Sequence, residues 1–171
     1  MSWRARQDWE RKIAGLDPRV RPQVEAFLDG LDAIPLPFAL GDTGRSVIRE
    51  WELWKKGRHA PVGADADDPA SWVVSARSLV VTKVPPGSGK GPHFHWLAVD
   101  VYPLDERGAL MQTAHPLWQT TIEAMWALAE SCGLDALGHD DPARVGDALW
   151  SGDPCHYQAL GWKAMVQTKE V

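Results

Sequence analysis

The sequence predicts an α+β domain, a small and mostly antiparallel sheet flanked by helices. Three observations predict it. Apolar residues recur at helical spacing in long stretches, one early and one late in the chain. Short β-rich runs stand between and after them, separated by turns rich in Gly and Pro. The order is helices first, then strands mixed with helices. The 171 residues suffice for one domain with a proper core. There is no repeat and no linker long enough to divide them, so residues 1–171 are expected to form a single domain.

Residues 8–14 are expected to form a short helix. Asp17-Pro18 reads as an N-cap followed by Pro at the first helical position. Val20, Val24, Phe27, Leu28 and Leu31 continue at helical spacing, so a helix is expected over 18–32. Pro35 and Pro37 end it. Phe38-Ala39-Leu40 reads as a strand and Gly41 to Gly44 as a turn. Ile48, Trp51, Leu53 and Trp54 predict a helix over 46–56, stopped by Gly57. Residues 58–70 are rich in Gly, Pro and Asp and read as an exposed loop. Trp72-Val73-Val74 and Leu79-Val80-Val81-Thr82 are β-rich. A loop over 85–92 follows, then an apolar, β-prone run from Trp96 to Tyr102. Leu117, Ile122, Met125, Trp126 and Leu128 predict a helix over 116–131, capped by Gly133. Residues 134–148 read as a loop with one short helical stretch, and Ala148-Leu149-Trp150 and Tyr157 to Leu160 as two last β-prone runs.

Composition excludes several classes of function. Apolar residues at 44% and charged residues at 24% are ordinary for a globular domain. The net charge of -5 argues against nucleic acid as a partner, and against direct attraction to anionic membranes or wall polymers. Two cysteines, Cys132 and Cys155, make no disulfide framework. The N-terminus has charge but no apolar run behind it, so no secretory signal is expected. No stretch is long and apolar enough to span a bilayer. The chain is therefore expected to be made in the cytoplasm and to need another route for export. Ten Trp residues are many for this length; most buried Trp fills a core, though Trp also lines clefts.

Two short motifs carry the chemistry. His93 and Asp100 stand seven positions apart, with Asp100 set inside an apolar run. A carboxylate there needs a partner, because an unpaired buried charge is costly. A metal ion is one such partner. Asp153-Pro154-Cys155-His156 supplies a second imidazole with a carboxylate three residues before it. Two imidazoles and one carboxylate are the ligand count of a catalytic zinc site with its fourth position open to water. A spare carboxylate beside that position can take the proton of the water. Other sets stay open. His93 and His95 lie two apart and would face one side of a regular strand, so His93, His95 and His156 form a second candidate set. Cys155 adjoins His156 and is a weaker candidate, since adjacent side chains diverge. His59, His115 and His139 fall in loops or at a helix start and read as solvent-exposed.

The segment from Pro92 to Asp100 resembles the Ser-x-His-x-x-Gly-x-Ala-x-Asp box of the D-alanyl-D-alanine carboxypeptidase and L-alanyl-D-glutamate endopeptidase zinc peptidases, a group that includes the hedgehog signalling domain. Asp153 to Gln158 resembles the Asp-x-Pro-His-Phe-Glu/Gln box of that group. Arg45-Ser46, Leu53-Trp54 and Gly57-Arg58 resemble its Tyr-Arg-Ser and Leu-Tyr-x-x-Gly-Arg stretch, and Val80-Val81-Thr82 with Pro86-Gly87 its lead-in to the first ligand. The pieces agree in order and spacing over residues 16–160.

The resemblance implies a hedgehog/D-Ala-D-Ala-peptidase-like fold and a single zinc peptidase domain. It implies His93, Asp100 and His156 as ligands of Zn2+ and Asp153 as general base. It also implies that Arg45 holds a substrate carbonyl or carboxylate and supports the developing oxyanion. The substrate implied is the stem peptide of peptidoglycan, cleaved by a monomer acting at the cell wall after release or delivery, as a phage lysin or an injected effector does. An Asp base is the pattern of the L-alanyl-D-glutamate endopeptidase branch. D,D-carboxypeptidase activity and a non-catalytic zinc-binding recognition domain are the alternatives. The sequence departs from the pattern at Gly44 (for Tyr), Gly91 (for Ser), Trp96 (for Gly) and Cys155 (for Pro). Trp96 bears on the turn after the first ligand, since Gly tolerates dihedrals that Trp does not.

Overall fold

The computed structural model describes residues 3–77, 85–86, 88, 91–136 and 155–167. Along the chain run α1 (Trp3–Ile13), α2 (Arg21–Gly30), β1 (Phe38–Leu40), α3 (Val47–Lys55), β2 (Arg58–His59), β3 (Val73–Val74), β4 (Ala98–Pro103), α4 (Trp118–Ser131), β5 (Leu134–Ala136), β6 (His156–Ala159) and α5 (Trp162–Gln167). Four strands form one antiparallel sheet in the order β1-β4-β6-β5, and β2 and β3 form a separate antiparallel pair. The expected α+β architecture is the one found.

Strand register divides the sheet into two chemically different faces. Val99, Tyr157 and Ala136 are Cα partners across β4, β6 and β5, as are Val101 and Leu40 across β4 and β1. These residues are buried in the main core cluster with Val24 and Phe27 of α2 and Ile122 and Met125 of α4. The rings of Phe27 and Tyr157 lie 4.6 Å apart, centroid to centroid, and join helix to sheet. Side chains alternate along a strand, so the intervening positions face the other way. They read Asp100 opposite His156, and Ala98 opposite Gln158 opposite Asp135. One face thus carries the apolar half of the alternation and packs on the helices. The other carries carboxylates, an imidazole and an amide.

Several expectations shift at their edges. Asp17 does not cap α2. It is buried, its carboxylate is bound by the Arg19 side chain, and its carbonyl accepts from Val20 and Arg21, so a turn over 18–20 comes first and the helix starts at Arg21 with Pro22 in its first turn. The stretch 58–70 is not wholly loop, because Arg58–His59 pairs with Val73–Val74, where a β-prone run is expected. β4 begins at Ala98, two residues later than the apolar run. The loop expected from 134 begins instead as strand β5, and α5 follows β6 without an anticipating signal. The β-prone runs 79–82 and 148–150 lie outside the described residues. Ser46 caps α3 by accepting from the Arg49 amide, and Gly133 takes φ 78 after α4, as a helix-ending Gly does. No helix among the described residues is long and apolar enough to cross a membrane.

Candidate metal centre

Three of the residues singled out by sequence meet at one point of the polar face. Asp100 and His156 are brought together by the β4–β6 register. His93 arrives from a tight turn. The His95 amide donates to the Pro92 carbonyl, the Trp96 amide to the His93 carbonyl and the Leu97 amide back to Pro92. His93 Nε2 lies 3.0 Å from Asp100 Oδ1 and 3.0 Å from His156 Nδ1, and His156 Nδ1 lies 3.1 Å from the same Oδ1. All three side chains are buried.

The donor set fits a divalent metal. Ligands around tetrahedral zinc, with bonds near 2.0–2.1 Å, stand roughly 3.3 Å apart, close to the spacings found here. Burial holds the His93 imidazole toward its neutral form. Burial works against ionisation of Asp100, but the contacts from His156 and His93 prevail and keep its carboxyl well below the usual carboxylate range. Both are therefore in ligand form near neutral pH. A neutral imidazole and a carboxylate bring lone pairs to one buried point, and lone pairs that close repel unless a cation lies among them. Among the described residues, these three make the group of His, Cys, Asp and Glu side chains that could hold a metal ion.

Arg45 borders the same point. Its Nη2 donates to Asp100 Oδ2 at 3.0 Å, its Nε donates to Asp42 Oδ2 at 3.1 Å, and its amide donates to the His93 carbonyl. Asp100 therefore offers one oxygen to the imidazoles and the other to the guanidinium. The segment that carries Arg45 continues the β1 edge, with Gly41 donating to the Asp100 carbonyl and the Asp100 amide donating to the Asp42 carbonyl. The end of α1 braces it, since Lys12 Nζ donates to the Leu40 carbonyl and the Thr43 hydroxyl to the Lys12 carbonyl.

The set His93, His95 and His156 is not assembled. His95 leaves the turn in another direction, with its ring 5.2 Å from Phe94 and 6.3 Å from Trp162. The premise of a regular strand through 93–95 fails because those residues form a turn. Cys155 is buried in the core cluster and is not among the grouped donors. His59 is exposed and His115 half-buried, while His139 and Asp153 lie outside the described residues. Arg58 is accounted for structurally, stacked 3.7 Å from the Trp54 ring and donating to the Trp54 carbonyl.

Two departures from the family pattern meet in space. Trp96 has φ 60, the left-handed region that a non-Gly residue seldom enters. Its indole lies across Gly44, where an added Cβ would stand 2.1 Å from Trp96 Cε3. A side chain at 44 and an indole at 96 compete for one space, next to Arg45.

Sequence reasoning placed Gln158 at the end of the second motif without giving it a role, and missed Asp135. His156 Nε2 lies 3.3 Å from Gln158 Oε1, and Gln158 Nε2 donates to Asp135 Oδ2 at 2.7 Å. The available signal was the spacing of His156 and Gln158 by two on a strand, which puts both on one face.

Fold and site together define a class: an α+β domain whose polar sheet face carries a buried His-Asp-His group able to hold a metal. No family model matches the chain, and no curated protein matches it. Among solved structures it is similar to a mutant of the vancomycin resistance D,D-pentapeptidase VanY in complex with Zn(II), at 17% identity and TM-score 0.54, covering 91% of this chain and 79% of that one. It is similar to VanYB in complex with D-alanine-D-alanine, at 16% identity and TM-score 0.53, covering 91% and 77%. It is also similar to the LdcB LD-carboxypeptidase, whose structure concerns peptidoglycan recognition, at 13% identity and TM-score 0.54, covering 91% and 65%. The chain has the fold of these proteins, which is the fold expected from the motifs.

Proposed function

We propose that the chain is a zinc-dependent peptidase of the peptidoglycan stem peptide. His93, Asp100 and His156 would hold the metal, Arg45 would orient the substrate and Asp153 would act as base. The observation that supports this most is the convergence of three buried donors within 3.1 Å of one another, in a fold also found in a zinc complex of a D,D-pentapeptidase. When bound at such a set, zinc supplies Lewis acidity and makes water a usable nucleophile near neutral pH.

The remaining work falls to the chain's own residues. Asp100 anchors Arg45 through Oδ2. Arg45 Nη1 makes no hydrogen bond among the described residues, which leaves it able to donate to a substrate carbonyl or carboxylate. Asp153, three residues before His156, takes a proton from the attacking water and returns it to the leaving amine. In the family the sequence resembles, an Asp base is the pattern of the L-alanyl-D-glutamate endopeptidases, and that resemblance supports cleavage of this bond. Removal of terminal D-Ala is the second reading, favoured by the similarity to a structure holding D-alanine-D-alanine.

Digestion of purified peptidoglycan by the zinc-loaded protein, with products identified by mass spectrometry, tests both readings. A new L-Ala carboxyl end is the expected product, and free D-Ala would transfer the assignment to the carboxypeptidase. Loss of turnover in Asp153→Ala with zinc still bound is expected. Zinc binding without any hydrolysis by the parent protein would leave a recognition domain in place of an enzyme.

A further inference from the structure

We propose that Asp135 and Gln158 are positioning residues that lock His156 into the one ring tautomer able to bind metal through Nδ1. The inference rests on the metal centre described above and extends it to two residues outside the donor set.

The argument runs outward from Asp135. A carboxylate only accepts hydrogen bonds. The end of the Gln158 amide that faces Asp135 Oδ2, 2.7 Å away, must therefore be its NH2. The amide is planar, so its carbonyl oxygen is the end that faces His156. That oxygen also only accepts, and it lies 3.3 Å from His156 Nε2. Gln158 thus favours the ring proton on Nε2, while Asp100 Oδ1, also an acceptor, faces Nδ1 at 3.1 Å, where a bound metal would take the place of a proton. Neutral imidazole has a single ring proton, so with that proton on Nε2 the lone pair of Nδ1 is free for a metal shared with Asp100 Oδ1 and His93 Nε2. Polarity set by a carboxylate on β5 passes through an amide on β6 to the ring nitrogen that faces the metal.

The sheet makes this chain of contacts rigid. Asp135 and Gln158 are direct Cα partners across β5 and β6, and His156 stands two residues from Gln158 on the same face. His156 and Gln158 are both buried, so water is a poor substitute partner. His93 has no such support, because its Nδ1 is buried without a partner among the described residues. Outer partners of a metal-bound imidazole fix its tautomer and orientation, and their loss typically costs roughly 10–100-fold in metal affinity.

The test needs no turnover. In the zinc-loaded protein, long-range 1H–15N spectra of the imidazoles are expected to show His156, assigned by its proximity to Gln158, protonated at Nε2 and bound to metal through Nδ1. Zinc affinity, measured by competition with a chromophoric chelator, is expected to fall roughly 10–100-fold in Gln158→Met. A smaller fall is expected in Asp135→Ala, where the amide can turn over. Asp135→Asn keeps an acceptor oxygen and is expected to restore most of the affinity. A His156 ring that keeps a proton on Nδ1 in the zinc-loaded parent protein would overturn the proposal. So would a folded Gln158→Met protein that binds zinc within about twofold of the parent, and spectra of the parent decide the matter even if the variants do not fold. Unchanged zinc binding in His93→Ala would overturn the metal centre itself, an outcome distinct from failure of the positioning chain.

Discussion

Asp100 and His156 reach the metal centre by a different route from His93. The first two are neighbours in a strand ladder, where register fixes the distance between them. His93 sits in a turn closed by Pro92, and its Nδ1 gains no hydrogen bond among the described residues. The sheet side of the site is preorganised by backbone pairing and by the chain through Gln158 to Asp135. Beyond the Nε2 contacts within the site, the turn side is held by backbone hydrogen bonds, among them the Arg45 amide on the His93 carbonyl. A site built this way keeps a firm half and an adjustable half.

The firm half should carry the larger energies. Asp100→Ala removes one donor, strips the acceptor from two imidazoles and leaves the Arg45 guanidinium without one of its two carboxylates. Breaking a buried ion pair from one side costs about 3–5 kcal/mol. Metal binding should vanish, and chemical denaturation of the metal-free protein should show the largest loss of stability of any variant at the site. A loss under about 1 kcal/mol would mean that the Arg45–Asp100 pair behaves as a surface contact.

The two imidazoles should separate next. His93→Ala and His156→Ala both abolish the donor set, so both should lose metal. In the metal-free protein they should differ. His156→Ala strands the Gln158 carbonyl, a buried acceptor, at a cost of about 1–3 kcal/mol beyond lost packing. His93→Ala removes a ring whose Nδ1 is already without a partner. Denaturant midpoints should therefore fall further for His156→Ala than for His93→Ala, and the reverse order would break the comparison.

The same division explains what could be read from sequence. Helices α2 and α4 announce themselves through Val24, Phe27, Leu28 and through Ile122, Met125, Trp126, because helical periodicity is local. Residue chemistry and the resemblance to the zinc peptidases name Asp100 and His156 as ligands of one ion, but their pairing across β4 and β6 is a matter of register. The set with His95 failed because Pro92 begins a turn, and period-two reasoning applies only to strands. Asp135 went unseen because β5 is three residues long with an acidic centre, a poor β signal. Its role exists only across a ladder to Gln158, 23 positions away in sequence. Local patterns reveal elements and ligand types, while partners of the ligands depend on register, which no local pattern contains.

Trp96 offers a sharper probe of the turn. Gly44→Ala places a Cβ against the Trp96 indole, at 2.1 Å from Cε3 in the unrelaxed geometry. Overpacking of this kind costs about 1–3 kcal/mol. Trp96→Gly relieves the φ 60 backbone and empties the same space. A double-mutant cycle should return a coupling of about 0.5–3 kcal/mol, with Gly44→Ala nearly harmless once Trp96 is Gly. Additive effects would separate the two positions and remove the explanation for their joint departure from the family pattern.

Acidification should affect the two halves in sequence, with the smallest effect first. The His93 pKa is lowered in the folded protein, chiefly by burial. The unfolded chain therefore takes up that proton first, and stability falls as pH drops below the ordinary histidine value of about 6.5. The Asp100 pKa is also lowered, with its contacts to the two imidazoles overcoming burial. Its contribution is present above about 3.9 and is lost as pH falls below that value. Denaturant midpoints of the metal-free protein, followed from pH 8 downward, should decline in two stages. His93→Gln should flatten the upper stage and leave the lower one in place. An upper stage that survives in His93→Gln would assign it to another group and deny the turn-borne imidazole its neutral, buried character.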